Sequence, residues 1–224
     1  MVKLYKIIFI SLSLMLLSQI SYANIGGFEI IANVPIGAGV TLYEPYSKFK
    51  TSGNFQIGVE ADIGYMFNIR ENMGFSLLGS LGYGFTGFSY SHGNDINFKS
   101  YVHDIYIGFY PKFNIQGFSI GINSGVKFGL ASSSSLRNSS SELKAETKIQ
   151  PRTYIKGTFD YSFFFDDNNA LNIGLYIGYD WGFKWNQTIA DSSVSSGDSY
   201  GNLDVGVQIG YRFGPRFGAY IFNQ

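Results

Sequence analysis

Few residues in this chain have the types and spacing for chemistry. Histidine occurs only as His92 and His103, with Ser89, Ser91 and Ser100 close in sequence. A serine nucleophile needs a base within hydrogen-bond reach, a group orienting that base, and donors for an oxyanion. None of these can be read from the spacing here. Two histidines without a single cysteine do not make a structural zinc site. Gly82-Tyr-Gly84-Phe-Thr-Gly87 matches a dinucleotide-binding pattern, but that chemistry needs a strand, a tight turn and a helix N-terminus. No helix pattern follows it. Asp166-Asp167-Asn168-Asn169 has the wrong spacing for a calcium loop and the composition of a turn. No catalytic residue, metal ligand set or cofactor is therefore expected.

The charged residues form a more informative set. Acidic Glu29, Glu60, Asp62, Asp104, Asp160, Asp180 and Asp204 and basic Lys112, Lys127, Arg152, Lys156, Lys184 and Arg212 all fall on the polar side of alternating segments. Such a near balance is what an enclosed network demands, because an unpaired buried charge is very costly. The alternative is a scatter of surface charges. The enclosed reading expects Glu29 to meet Arg212, where the first and last strands close. It expects Asp204 to meet Lys184 toward the opposite end.

Strands must position these side chains, because every second residue shares a face. In residues 55–67, Phe55, Ile57, Val59, Ala61, Ile63, Tyr65 and Phe67 oppose Gln56, Gly58, Glu60, Asp62, Gly64 and Met66. Residues 118–130 and 171–185 repeat the pattern. Applied throughout, it predicts eight antiparallel strands near 27–43, 54–67, 73–90, 99–113, 117–131, 148–165, 170–186 and 200–213. Pro35 lacks a ladder donor and suggests a bulge or bend. Leu78 falls on the polar face, against the pattern. Tight links at 68–72, 114–116 and 166–169 alternate with longer polar ones at 45–53, 91–98, 132–147 and 187–199. That alternation is the outer-membrane pattern, with short periplasmic turns and longer extracellular loops. It places both termini on the periplasmic side.

The polar face is built of Gly, Ser, Asn and isolated charges rather than the Lys, Glu and Thr of a solvated surface. Small residues suit the crowded interior of a narrow barrel. Aromatic residues gather near both ends of the apolar face, with Phe28, Tyr65, Phe67, Phe113 and Phe213 by the turns and Phe55, Phe85, Tyr101 and Trp185 by the loops. Rings at two levels suit the two interfaces of a bilayer. Composition agrees: 18% aromatic, 14% charged and 28 glycines. Charge is otherwise about a quarter of a soluble domain.

Lys3 and Lys6, the apolar run 7–17 and the small residues Ser21 and Ala23 form the three-part pattern of a secretory signal peptide. Cleavage is expected after Ala23, giving a signal peptide 1–23, a barrel 24–213 and a tail 214–224. Removing Lys3 and Lys6 from 16 basic against 16 acidic residues leaves a small negative excess. A nucleic-acid binder would show a basic one, so no nucleic-acid partner is expected.

The last predicted strand, with Asp204, Gly206, Ile209, Tyr211 and Phe213, resembles the terminal-strand signal of bacterial outer-membrane barrels. The whole mature chain resembles the small eight-stranded members of that class, the OmpX, Opa and OmpA transmembrane-domain groups. The resemblance implies an all-β, up-and-down transmembrane barrel in the outer membrane, recognised by the barrel assembly machinery, surrounded by outer-membrane lipids and monomeric. It implies a structural or adhesion-type role at the cell surface, with a host or surface ligand met through the loops. A narrow pore for water or small solutes is the alternative. A lipid A-modifying enzyme using a Ser and a His near the outer rim is a second, though no His-x-Ser arrangement of the deacylase group occurs here. Family members end at the final aromatic, whereas this chain continues. The tail either folds back under the barrel, or Phe217–Phe222 forms the true last strand.

Overall fold

The computed structural model describes residues 26–43, 52–92, 96–138, 141–148, 151–182, 186–189, 192–195 and 200–218. Eight long strands form a ring: β1 (Gly27–Tyr43), β2 (Ser52–Arg70), β3 (Met73–His92), β4 (Ile96–Ile115), β5 (Phe118–Asn138), β7 (Arg152–Phe164), β8 (Asn169–Trp181) and β11 (Tyr200–Phe213). Each pairs antiparallel with its neighbours, β5 with β7 on one side, and β1 with β11 closes the ring. The short strands β6 (Ser141–Lys148), β9 (Asn186–Ile189) and β10 (Ser192–Ser195) extend the sheet at the loop end. Among the described residues there is no helix. Closure leaves no unpaired strand edge facing lipid, as a hydrocarbon environment requires.

Alternation decides which side each residue takes. Ile120 is 60% exposed and Leu175 59%, while Glu29 and Arg212 are wholly buried. Leu81, Ile107, Val59 and Ile177 share the outer surface with them. A continuous apolar belt of this extent is untenable in water and ordinary in lipid. Leu78, the exception in the pattern, is buried inside against Ile31 and Tyr110.

The tight turns are built from local chemistry. Gln116 (φ 50°) and Gly117 (φ 90°) form a two-residue hairpin loop whose left-handed backbone matches the twist of the flanking strands. Asn72 (φ 55°) takes the second position of the Glu71–Asn72 turn. The third turn is held by Asp166, whose Oδ1 accepts bonds from the backbone N–H groups of Asn168 and Asn169, both at 2.8 Å. Those bonds, Asn168's first, hold the Asp166 carboxyl below its usual pKa. Gln116 N donates to Asn72 O at 2.8 Å, linking two of the turns.

Several strand ends differ from expectation. Residues 132–147 form most of a β5–β6 hairpin rather than a plain loop, with Ser133 opposite Glu146 and Asn138 opposite Ser141. The expected strand 148–165 is divided between β6 and β7, and the expected strand 170–186 ends at Trp181. Beyond the membrane both faces are wet, so no hydrophobic alternation marks the pairing. Pro35 causes no bulge: the β1–β2 ladder is interrupted at Val34 and Pro35, and its register continues unchanged. The register shifts instead beside Ile69 in β2 and Leu130 in β5.

Candidate functional site

The lumen is the candidate site, and it is organised in layers. At the turn end, Met66, Phe164, Ala170 and Phe217 form an apolar seal. Phe217 belongs to the tail, folds back into the mouth and is 1% exposed. Its ring meets Phe164 edge-on at 5.2 Å, and the Arg212 guanidinium lies 4.2 Å from its centre. Gly117 N donates to Phe217 O at 3.1 Å, and Gly214 N to Asn168 O at 2.8 Å, so the tail is bound to two turns. Arg216 meets Asp167 at 3.3 Å at the rim. Above the seal, Arg212 Nε donates to Glu29 Oε1 at 2.9 Å. Ser76 donates to the other Glu29 oxygen at 2.5 Å, and Asn114 donates to Ser76 at 2.8 Å.

A middle layer fills the barrel. Lys112 meets Asp160 at 3.4 Å. Asp160 also accepts bonds from Gln208 at 2.6 Å and Tyr110 at 3.2 Å. Asp62 accepts bonds from Ser80 and Asn33. Asn123 donates to Ser80 at 2.9 Å and accepts from Tyr154 at 2.8 Å. Polar groups withdrawn from water must be hydrogen-bonded to be tolerable, and most here are bonded to one another, Gln208 Oε1 being an exception among the described residues.

The outer layer is more open. Lys156 Nζ reaches both oxygens of Glu60, at 2.7 and 2.6 Å. Arg152 pairs with Asp104 and lies 3.3 Å from Asp180, which Lys127 approaches to 2.8 Å. Glu60, Lys156, Asp104, Asp180 and Lys127 line a cavity of about 50 Å³ together with Tyr106, Tyr154, Tyr176 and Asp204. That is room for a few water molecules. The Asp204 carboxylate rests over Gly178, where an added Cβ would come within 2.8 Å of it.

The structure thus brings Glu29 to Arg212, Glu60 to Lys156, Asp104 and Asp180 to Arg152, Asp180 to Lys127, and Asp160 to Lys112. Asp62 and Asp204 have no cationic partner among the described residues. Lys184 lies outside those residues, and with it the expected Asp204–Lys184 contact. The neutral members Tyr110, Ser76, Ser80, Asn114, Asn123, Thr158 and Gln208 were not singled out from the sequence. Their one signal is that each occupies an inward position of an alternating strand. For the tail, the sequence left folding back and a last strand at Phe217–Phe222 open; β11 closes the ring on β1 and Phe217 folds back into the mouth.

The other motifs have structural uses. Gly82 lies against the Tyr106 ring, so any side chain there would collide with it. His103 points outward, and its Nδ1 lies 2.5 Å from the Tyr83 hydroxyl rather than against a serine. Of the terminal strand, Ile209, Tyr211 and Phe213 face outward, while Asp204 is buried within the lumen. Among the described residues no group of three acidic, His or Cys side chains could hold a metal ion.

Neither the scan of protein-family models nor the search of curated proteins gives a match. Solved structures do show likenesses. Neisserial surface protein A is 15% identical with a TM-score of 0.41, over 81% of this chain and 96% of that one. The outer membrane protease OmpT from Escherichia coli gives 11% and 0.44, over 84% and 96%. Ail, the attachment invasion locus protein of Yersinia pestis, gives 14% and 0.38, over 85% and 100%. Their roles differ, and likeness at this level carries none of them over. The apolar outside and the layered polar inside decide the class.

This chain is a transmembrane β-barrel of the outer-membrane type.

For such a barrel, the turns and both strand termini lie on one side of the bilayer and the extended hairpins on the other. The sealed mouth is therefore the periplasmic one, and the cavity belongs to the outer half.

Proposed function

We propose that this barrel is a structural and interaction protein of the cell surface, working through the segments that rise beyond its apolar belt. One observation carries the reading. The described strands β3 to β6 continue as paired sheet past the lipid-facing belt, while the lumen beneath is filled. A membrane span needs only about 9–11 residues per strand, whereas β3 has 20 and β5 has 21. The surplus forms a raised rim suited to contact with a host or matrix ligand. Segments 45–53 and 187–199 would share that surface; they lie mostly outside the described residues.

The remaining parts of this reading concern export and setting. Residues 1–23, outside the described residues, direct export and are removed. The assembly machinery reads Asp204, Gly206, Ile209, Tyr211 and Phe213 as the terminal-strand signal. Outer-membrane lipids solvate a monomeric barrel that uses no cofactor. The Tyr83 contact of His103 on the outer surface supports a non-enzymatic role.

The test is to replace 91–98 and 132–147 with two-residue turns and measure binding of whole cells to host-cell and matrix surfaces. Loss of binding with normal surface display supports the proposal. Unchanged binding defeats it. The pore reading is favoured by the outer cavity and opposed by the middle layer. Single-channel recording separates them, and steady ion conductance through the purified barrel would establish the pore.

A further inference from the structure

We propose that the outer cavity is a binding cup for one small monovalent cation, an alkali ion or a protonated primary amine, held by Asp204. Four carboxylates, Glu60, Asp104, Asp180 and Asp204, line the cup with the cations Lys127 and Lys156, and Arg152, which is not itself in the lining, pairs with Asp104 and Asp180. Glu60 is matched by Lys156, and Asp104 and Asp180 share Arg152 and Lys127. Among the described residues one negative charge is left over, and it falls on Asp204, which makes no ion pair with any of them. That residue is 4% exposed, lines the cavity beside Gln56, and has an Oδ1 without a hydrogen-bond partner among the described residues. The inward oxygen Asp104 Oδ1, on a residue 2% exposed, is unpartnered too. A carboxylate enclosed in this way requires a counter-charge or a proton.

The surroundings select the occupant. A divalent ion takes several oxygens, usually from more than one carboxylate. Here three of the four carboxylates already hold cations, and no three-residue metal group exists among the described residues. A single positive charge restores neutrality. Around Asp204 the cavity offers the neutral oxygens of Tyr176, Gln56 and Thr86. The cup already accommodates ammonium groups against rings: Lys127 Nζ lies 5.3 Å from the Tyr154 ring centre, and Lys156 Nζ 5.8 Å from that of Tyr176. An added primary amine would meet the same kind of surface. The small volume excludes bulky ions.

The experiment measures binding of radiolabelled rubidium to the full mature barrel in zwitterionic micelles, with retained cold-detergent mobility as the check on folding. The expected result is saturable binding of one ion per barrel, reduced at least about tenfold by D204N and kept by D62N, whose carboxylate lies below the cup. Displacement by potassium but not methylammonium assigns an alkali site. Displacement by methylammonium at lower concentration assigns an amine site. Tetraethylammonium should displace neither. Should D204N fail to fold, the wild type decides: its thermal midpoint should rise by about 3–5 °C at roughly tenfold excess over Kd of potassium or methylammonium, against tetraethylammonium at equal ionic strength. The proposal is overturned if the wild type binds no rubidium and its midpoint ignores small cations. It is overturned equally if D204N binds as the wild type does. If K184M lowers the midpoint while no ion binds, the chain supplies its own counter-charge and the cup has no ligand.

Discussion

Replacing Arg212 by methionine should destabilise the barrel more than any other single change at the closing seam. Arg212 on β11 and Glu29 on β1 are both fully buried and meet at 2.9 Å across the junction that closes the ring. Methionine keeps much of the volume and the packing on Phe217, so the change isolates the charge. Glu29 would retain Ser76 as a donor but lose its one cationic partner among the described residues. Removing one member of a buried pair costs about 3–5 kcal/mol. The Ser76 bond, which Glu29 keeps, puts the expected loss near the lower end, about 3 kcal/mol. R212M with E29Q removes both charges, and a neutral pair of similar volume is often tolerated. The double variant should therefore recover about 2 kcal/mol relative to R212M. Urea unfolding of the barrel in lipid vesicles, followed by tryptophan fluorescence and by cold-detergent mobility, measures the cycle. If R212M lies within about 1 kcal/mol of wild type, or the two changes are additive, the pair does not staple the seam.

Other consequences can be checked by similar means. Heating the outer-membrane fraction in detergent should shift the protein's electrophoretic mobility, as expected of a closed barrel that unfolds only on boiling; a soluble periplasmic protein without the shift would invert inside and outside. Phe217→Ala should cost about 3 kcal/mol, in the range for a buried aromatic, yet leave planar bilayers silent because the Lys112–Asp160 layer still fills the lumen. Ile107→Arg, on the lipid face of β4 midway between Phe113 by the turns and Tyr101 by the loops, should cost about 2–4 kcal/mol, measured by unfolding in vesicles. Asp166 should titrate below the ordinary aspartate range in an NMR pH series, held there by the bonds from Asn168 and Asn169. Because its folded pKa is depressed, the stabilisation it gives the turn is present above the unfolded pKa and is lost as pH falls through the folded one. D166N should remove that acid-side dependence.

The amino-acid sequence by itself determined the number of barrel strands, the tight turns and the inward side of each strand. The reason is that lipid imposes a strict rule on one face: Phe55 to Phe67 can alternate only if every second residue meets hydrocarbon. The same rule grouped the interior charges, and it made Glu29 and Arg212 neighbours because the first and last strands must meet. Tertiary structure alone decided the rest. Which cation answers which carboxylate depends on strand tilt and side-chain reach, so Lys156 crosses to Glu60 and Lys112 to Asp160, from strands far apart in sequence. The rim hairpin of β5 and β6 was illegible because both its faces meet water and no periodicity is enforced. The choice between the tail's two expected fates was equally hidden: Phe217 is one aromatic among several, and only the mouth beneath Arg212 gives it a place.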